Sequence, residues 1–182
     1  MRFASLPDPN HPLVRLRPLR FADLVRWSEY LNNSQVYEHT SWNHPTPDEL
    51  APYLGGEAST DPSARLRLAI AWRDSDRLAG TIGFHTVSPA NRSAELAYEL
   101  HPGAWGQGIA SDMVAAMVTW AHAQASVLRV QATVLESNAR SARVLERYGF
   151  SLEGLLRAYR LVRGKPGNYR MYAHLPAADV SW

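Results

Sequence analysis

The sequence predicts one domain of the mixed α+β class, in which helices pack on a single β-sheet. The chain has 182 residues, of which 46% are hydrophobic, and this is enough to fill one globular core. Segments in which apolar and polar residues alternate, as in strands, are interspersed with segments in which apolar residues recur at helical spacing. The order is strand, helices, three strands, helix, strand, helix and two strands, which is typical of α+β folds.

Seven strands are predicted from short apolar or alternating runs that end at turn residues. The first strand, LVRLR, alternates apolar and charged residues and stops at Pro18. A turn at 74–76 joins the second and third strands, and a turn at 164–167 joins the last two. The predicted strands cover residues 13–17, 65–73, 78–87, 94–100, 127–134, 151–162 and 168–175.

The helices are predicted from apolar stripes and from residues that favour helix ends. The longest helix places Ile109, Met113 and Trp120 on one stripe. Asn138 is a favoured N-cap residue and Gly149 suits the C′ position, so a further helix is expected between them. The predicted helices cover residues 23–31, 34–39, a short segment that begins at Pro47, 108–124 and 138–148.

Composition excludes several classes of protein. The chain has no cysteine, which excludes disulfides, cysteine zinc sites and a cysteine nucleophile. The seven histidines show no metal-binding spacing, so we expect no metal. Residues 1–12 lack the apolar stretch of a signal peptide, and the longest apolar run, 113–118, is far shorter than the roughly 20 residues that span a bilayer. We therefore expect a cytoplasmic protein with no membrane partner.

Positive charge is concentrated in one part of the chain. The formal net charge is +2, but residues 129–170 carry eight arginines and one lysine against three glutamates. Such a segment either binds phosphate groups or forms an ordinary solvated surface, and both interpretations stay open. Because no nucleic-acid-binding motif accompanies it, we expect no nucleic-acid partner.

A glycine-rich loop joins the strand 94–100 to the helix 108–124. In such a unit the unpaired backbone N–H groups of the helix start point toward one spot, where the helix dipole adds partial positive charge. Gly106 and Gly108 let an anion approach without Cβ clashes, which predicts a phosphate site. The glycines alone would also fit a tight strand-to-helix turn, so this alternative stays open.

Five segments follow one another in an order and spacing that is fairly specific. They are LVRLRPLRFADLVRW at 13–27, AELAYEL at 94–100, WGQGIA at 105–110, Asn138 with Ser141, and Gly149 with Phe150. Together they resemble the GNAT acyltransferase superfamily and, within it, the RimJ/RimL branch of ribosomal-protein N-terminal acetyltransferases. The resemblance covers about residues 13–175, and we take 1–182 as a single N-acetyltransferase-like domain with this core.

The resemblance implies a fold and a reaction. The fold is a twisted, mostly antiparallel sheet of about seven strands, flanked by helices and splayed between the parallel strands 94–100 and 127–134. Acetyl-CoA would bind in the splay, and a primary amine would attack its thioester directly. The amine is a protein N-terminal α-amine or a small-molecule amine, and the family also allows a homodimer. The alternative is a non-catalytic acyl-CoA-binding regulatory module.

The resemblance also implies which residues hold acetyl-CoA. The loop backbone would hold the pyrophosphate, the end of the strand 94–100 would hold the pantetheine arm, and Arg140 or Arg143 would reach the adenosine 3′-phosphate. The implied cofactor-binding residues are Tyr98, Leu100, His101, Gly106, Gln107, Gly108, Ile109, Ala110, Ser111, Asn138, Ser141 and Arg143.

For catalysis, the resemblance implies that Ser141 is the acid for the leaving thiolate, because Leu145 stands where much of the superfamily has a tyrosine. The Leu100 N–H would stabilise the oxyanion. Glu95 and Glu99 are the candidate bases, with Glu95 ranked first and acting through water. They share one strand face but lie about 13 Å apart, so one amine does not contact both.

Alternative structural interpretations accompany these residues. Each glutamate would otherwise pair with an arginine on an adjacent strand, and Asn138 and Ser141 would otherwise cap a helix. The acceptor groove would lie between the N-terminal arm and the hairpin 151–175, where aromatic and imidazole side chains either contact the acceptor or pack in the core. These candidates are Tyr37, Trp42, His44, His85, Tyr159 and Tyr169.

Overall fold

The structure is a computed structural model that describes residues 6–176, so residues 1–5 and 177–182 of the predicted domain lie outside the described residues. Seven strands form one sheet. They are β1 (Val14–Pro18), β2 (Leu66–Trp72), β3 (Leu78–Ser88), β4 (Ser93–Leu100), β5 (Arg129–Leu135), β6 (Ser151–Val162) and β7 (Lys165–His174). Their order is β1-β2-β3-β4-β5-β7-β6, and every neighbouring pair is antiparallel except β4 and β5. The predicted α+β class is confirmed.

Within residues 6–176, five α-helices flank the sheet. They are α1 (Asp23–Leu31), α2 (Ser34–Tyr37), α3 (Pro47–Leu50), α4 (Ile109–Gln124) and α5 (Ala139–Arg147). A capping box between Thr46 and Glu49 starts α3, with Pro47 in its first turn. The predicted helix 34–39 is shorter than expected, because its last two residues form a turn. None of the helices within residues 6–176 is long and apolar enough to cross a membrane.

Two hydrophobic clusters cover the two faces of the sheet. On one face α4 packs through side chains such as Met113 and Met117, and on the other face α1 packs through Trp27. Ala69 of β2 belongs to the α1 cluster, whereas the adjacent Leu68 belongs to the α4 cluster, as expected when successive strand residues point to opposite faces. One face is therefore covered along β1 to β5 and the other at β2 and β3, whereas β6 is largely exposed. Burial of these apolar side chains holds the layers together.

The two central strands separate soon after they meet. β4 and β5 pair only from Ser93 to Glu95 with Arg129 to Gln131. Beyond Glu95, β4 remains paired with β3 and β5 remains paired with β7, so each strand has one edge that faces a gap. This gap is the splay that the family resemblance implies.

The hairpin between β6 and β7 corrects the predicted turn at 164–167. Lys165 already pairs with Val162, so the turn is the two-residue turn Arg163-Gly164. Both turn residues have positive φ, 52° and 74°, which is typical of a type I′ turn whose twist matches the flanking strands. Pro166 is tolerated in β7 because β5 pairs with β7 only from Tyr169 onward.

Candidate active site

A cavity of about 830 Å³ lies at the gap between β4 and β5. Successive residues of both strands line it, Leu96 to Leu100 from β4 and Ala132 to Leu135 from β5. Since successive strand residues point to opposite faces, the cavity reaches both faces of the sheet. We call the part formed by the glycine loop, the start of α4 and α5 the helix side. We call the other part the arm side. It is formed by residues 35–53, by Arg65 and Arg67, and by side chains of β3, β6 and β7.

The glycine loop leaves open space in front of the first turn of α4. Gly106 and Gly108 have φ of 75° and 77°, and a Cβ built on either would meet no described heavy atom within 4 Å. No side chain caps α4, so the N–H groups of its first residues are not used by a capping oxygen. Both glycines line the cavity, as do Ile109, Ala110 and Ser111. The backbone N–H groups of the loop and of the first turn of α4 therefore form a site suited to an anion.

Side chains next to the loop hold it in place and do not line the cavity. The Gln107 side chain donates from Nε2 to the carbonyl of Gly103 (2.8 Å), and the backbone carbonyl of Gln107 accepts from Nε2 of His11 (3.2 Å). His101 accepts the N–H of Gly103 at Nδ1 (2.9 Å). The structure therefore does not bring the side chains of the predicted cofactor residues His101 and Gln107 into the cavity, because both are occupied in fixing the loop.

The start of α5 supplies polar groups to the helix side. Asn138 accepts the N–H of Ser141 at Oδ1 (3.0 Å) and donates from Nδ2 to the carbonyl of His39 (3.1 Å). Asn138 thus caps α5 and ties it to the segment after α2. The hydroxyl of Tyr98 lies 3.5 Å from the carbonyl of Ser141, and burial raises the pKa of Tyr98 to about 12. All three side chains belong to cavity-lining residues.

The three arginines of α5 differ in their position relative to the cavity. Arg140, one of the two predicted for the 3′-phosphate, lines the cavity together with Arg147, whereas the other predicted residue, Arg143, does not. Helical spacing explains the difference, since Arg140, Val144 and Arg147 recur on one face and Arg143 falls beside it. The Arg140 guanidinium also lies 5.0 Å from the ring centre of Trp105 in the glycine loop.

Glu95 is buried behind the cavity wall, with 5% of its surface exposed. It accepts from Thr133 Oγ1 (2.8 Å) and Arg160 Nη2 (3.2 Å), and His85 Nε2 lies 3.1 Å from it. Burial raises the pKa of the Glu95 carboxyl. Hydrogen bonding and charge from His85, then the Thr133 hydroxyl and the Arg160 charge, outweigh burial and lower this pKa to about 2.

A β-bulge directs His85 toward the cavity. Phe84 pairs with Leu96 and Thr86 pairs with Glu95, which leaves His85 as the extra residue on β3. His85 lines the cavity although Glu95 does not. Glu95, the predicted base, therefore does not line the cavity itself. The residues that contact its carboxylate, His85, Thr133 and Arg160, do line it.

Glu99 is buried in an ion pair on the arm side, and 7% of its surface is exposed. It accepts from Trp27 Nε1 (2.9 Å) and Thr81 Oγ1, and it contacts Arg67 Nη2 directly. Arg67 also donates to Thr81 Oγ1 (2.7 Å) and to the carbonyl of Ala97 (3.0 Å). The arginine comes from β2, two strands away from β4, rather than from an adjacent strand. The geometry is that of a satisfied buried network.

The predicted aromatic residues divide between the cavity and its surroundings. Trp42 and Tyr169 line the cavity. Tyr37 instead stacks on His44 at 4.0 Å between ring centres, and Tyr159 is 40% exposed on β6. The structure does not bring Tyr37, His44 or Tyr159 to the cavity, because these rings pack against neighbouring side chains at its rim.

The sequence model of the acetyltransferase (GNAT) domain matches residues 14–151, about three quarters of the chain. The chain belongs to the GNAT acetyltransferase family. Its mostly antiparallel sheet with one parallel pair and the splay between β4 and β5 agree with this membership, and the predicted resemblance to the GNAT superfamily is confirmed.

Similar proteins fall within the same family. The uncharacterized N-acetyltransferase YoaA of Bacillus subtilis (strain 168) is 36% identical over 108 residues, 59% of this chain and 61% of that protein. The ribosomal-protein-serine acetyltransferase of Escherichia coli (strain K12) is 30% identical over 100 residues, 55% of this chain and 56% of that protein. The matches thus span about three fifths of the length of these relatives.

Among solved structures, the ribosomal-protein-S5-alanine acetyltransferase of Vibrio fischeri superimposes with a TM-score of 0.83. Its sequence is 17% identical, and the superposition covers 97% of this chain and 100% of that chain. At this identity the likeness describes the fold of the GNAT domain.

Several cavity residues of this GNAT domain were missed by the sequence reasoning. Arg67 and Arg160 line the arm side, together with His39 and Tyr53. One signal pointed to Arg67, because it is the only charged residue in the otherwise apolar strand LRLAIAW. Arg160 lies among several arginines in the basic part of the chain, and nothing local distinguishes it. Within residues 6–176 there is no group of three or more potential metal ligands.

Proposed function

We propose that the protein is an acetyl-CoA-dependent N-acetyltransferase that transfers an acetyl group to a primary amine. One observation carries the proposal. A single cavity reaches both faces of the sheet at the splay of β4 and β5, with a backbone anion site on the helix side and a compartment of side chains on the arm side. Two substrates that enter from opposite faces would meet at this gap, as a direct transfer requires.

The residues of the helix side fit the donor. Left-handed Gly106 and Gly108 keep the space before α4 free of side chains, and the first N–H groups of α4 suit a pyrophosphate. Arg140 and Arg147 add positive charge at the same side of the cavity, which suits the remaining phosphate. The free edge of β4 beyond Glu95 offers backbone groups for the amides of the pantetheine arm.

Acetyl-CoA would supply an acetyl thioester to the gap, and the chain would supply hydrogen-bond donors around it. The His101 N–H donates to Ala79 on the β3 side (2.8 Å), so the preceding N–H, that of Leu100, points to the gap. This orientation supports Leu100 as the donor to the developing oxyanion. The hydroxyls of Ser141 and Tyr98 lie on the helix side, and Tyr98 stays protonated because its pKa is raised to about 12. We assign the protonation of the leaving thiolate to Ser141, with Tyr98 beside it.

The proton of the attacking amine needs a different acceptor from either glutamate alone. Glu99 uses its oxygens for Trp27, Thr81 and Arg67. Glu95 has a pKa of about 2 and does not line the cavity, so it accepts a proton poorly. We therefore place the proton transfer at His85 and a water molecule, with Glu95 orienting the His85 ring and stabilising the imidazolium that forms when His85 accepts the proton.

The first test is calorimetric titration with acetyl-CoA together with a thiol-release assay on N-terminal peptides and small amines. We expect acetyl-CoA binding that Gly108→Val weakens by about a hundredfold, since losing two charge-assisted amide bonds has this effect. Gly164→Val is the matched control, because Gly164 has the same left-handed φ (74°) and open surroundings but lies in the β6–β7 turn.

The outcomes separate the candidate functions. Binding with turnover of any amine supports the transferase. Binding without turnover on every amine favours the acyl-CoA-binding module that the sequence left open. Absence of binding, or an equal loss in Gly108→Val and Gly164→Val, refutes the donor site.

A further inference from the structure

The charged side chains that line the cavity are predominantly positive. A single carboxylate, that of Glu99, stands among five arginines that line the cavity. These arginines are Arg65, Arg67, Arg140, Arg147 and Arg160. Arg140 and Arg147 belong to the helix side, which leaves three arginines on the arm side, where the acceptor would bind. Arg67 and Arg160 pair with the buried Glu99 and Glu95, and Arg65 has no acidic partner within residues 6–176, so the arm side keeps one uncompensated positive charge, which favours an anion.

The carboxylates near the arm side are already engaged. Glu99 is occupied by Arg67, Trp27 and Thr81, and the cavity reaches it only within that network. Glu95 is held by Arg160 and His85 behind the wall. A polycation would find no free carboxylate on the described part of the arm side, and a second charge on such an acceptor would face arginines.

Three donors on the arm side have unused capacity. The hydroxyl of Tyr169 is buried, with only 3% of the residue exposed, and has no hydrogen-bond partner among the described residues. Arg160 gives one nitrogen to Glu95, and its guanidinium lies 5.7 Å from the Tyr169 ring centre, so the two side chains are in contact. Arg65 stacks on Tyr53 at 5.6 Å and has no acidic partner within residues 6–176. An unpartnered buried hydroxyl beside a guanidinium is costly unless a ligand accepts from it.

We infer that the acceptor is a primary amine that also carries a carboxylate, and that Arg160 and Tyr169 bind this carboxylate on the arm side. The inference rests on the proposed function and deepens it. A guanidinium and a phenol hydroxyl match the two oxygens of a carboxylate, and Arg65 adds to the attraction at longer range. The carboxylate belongs either to a free amino acid or to an acidic side chain near the N-terminus of a peptide.

The test is calorimetric binding to the protein both with saturating CoA and without CoA. The probes are three C-terminally amidated hexapeptides that begin with serine and carry aspartate, asparagine or lysine at positions two and three, together with glutamate and spermidine. We expect the aspartate peptide or glutamate to bind at least about tenfold more tightly than the asparagine peptide, and the lysine peptide and spermidine to bind most weakly. Comparison of the aspartate peptide with glutamate distinguishes a peptide carboxylate from a free amino acid.

Variants assign the preference to residues. Tyr169→Phe removes only the hydroxyl, and it should reduce the preference for aspartate over asparagine to less than about threefold, as should Arg160→Gln. Arg157→Gln is the matched control, because Arg157 is an exposed arginine of the same strand that does not line the cavity. It should keep the full preference.

The inference fails if no probe with a carboxylate binds more tightly than its neutral or cationic counterpart, or if Tyr169→Phe and Arg160→Gln both keep the preference. Acetyl-CoA titration of the same samples tests the proposed function separately. A protein that binds acetyl-CoA and prefers spermidine would retain the function and overturn the inference. A protein that prefers carboxylates but does not bind acetyl-CoA would overturn the proposed function, while the arm side would still be a carboxylate site.

Discussion

The two sides of the cavity present different kinds of chemical groups to the molecules that would bind there. The helix side presents backbone N–H groups from one continuous segment, the glycine loop and the first turn of α4. The arm side presents side chains from β2, β3, β6 and β7, whose positions depend on tertiary packing. A backbone site tolerates changes in side chains that keep the loop shape, whereas a side-chain site changes whenever one of its contributors does. The difference suits a domain whose donor is fixed and whose acceptor varies.

Arg67→Met should cause the largest loss of stability, and this loss should come from the arm-side network and leave the helix side unchanged. Methionine keeps much of the packing volume but leaves the Glu99 carboxylate buried without its cation. Removing one partner of a buried pair lowers the free energy of unfolding by about 3–5 kcal/mol. Urea unfolding measures the loss, and acetyl-CoA titration of the folded variant should show unchanged affinity.

The control for this variant is Arg157→Met, which should change the free energy of unfolding by no more than about 0.5 kcal/mol. Adding Glu99→Gln to Arg67→Met should recover part of the loss, because the uncompensated charge is then removed. A weakened acetyl-CoA affinity in folded Arg67→Met would break the separation between the two sides.

Glu95→Gln tests whether the ion pairs behind the arm side stabilise the fold. The pKa of Glu95 is about 2 in the folded protein against an ordinary value of 4.5, so its carboxylate stabilises the fold above pH 4.5. This contribution, about 3 kcal/mol, is lost as the pH falls from 4.5 to 2. Unfolding of wild type and Glu95→Gln between pH 7 and pH 2 should give a difference that is largest near neutral pH and disappears near pH 2. A difference that stays constant with pH would contradict the assigned pKa.

Ser141→Ala should have the smallest effect and should fall on the helix side. Loss of its hydroxyl should lower kcat by about tenfold through poorer protonation of the thiolate, with an unchanged dissociation constant for acetyl-CoA. Steady-state kinetics and titration separate these two quantities. Ser137→Ala is the control, since Ser137 is exposed and does not line the cavity. If kcat is unchanged, Ser141 serves only the start of α5.

The same contrast explains what the sequence could predict. The glycine loop, the Asn138 cap and the strand 94–100 are local features, and the structure places them as expected. The partner of Glu99 was not predictable, because Arg67 lies on β2 and reaches Glu99 across β3. Arg147 was not predicted as a lining residue, because the sequence alone does not define which face of α5 meets the cavity. The β-bulge at His85 also leaves no mark in the strand pattern.

The short pairing between β4 and β5 has a mechanical consequence. Three residue pairs join the half-sheet β1–β4 to the half-sheet β5–β7, and each half is itself cross-linked over longer ladders. The sheet therefore consists of two well-paired halves that are joined by three residue pairs at its centre. A ligand bound in the gap would contact both halves where strand pairing is missing, so it would stabilise the folded domain in proportion to its occupancy.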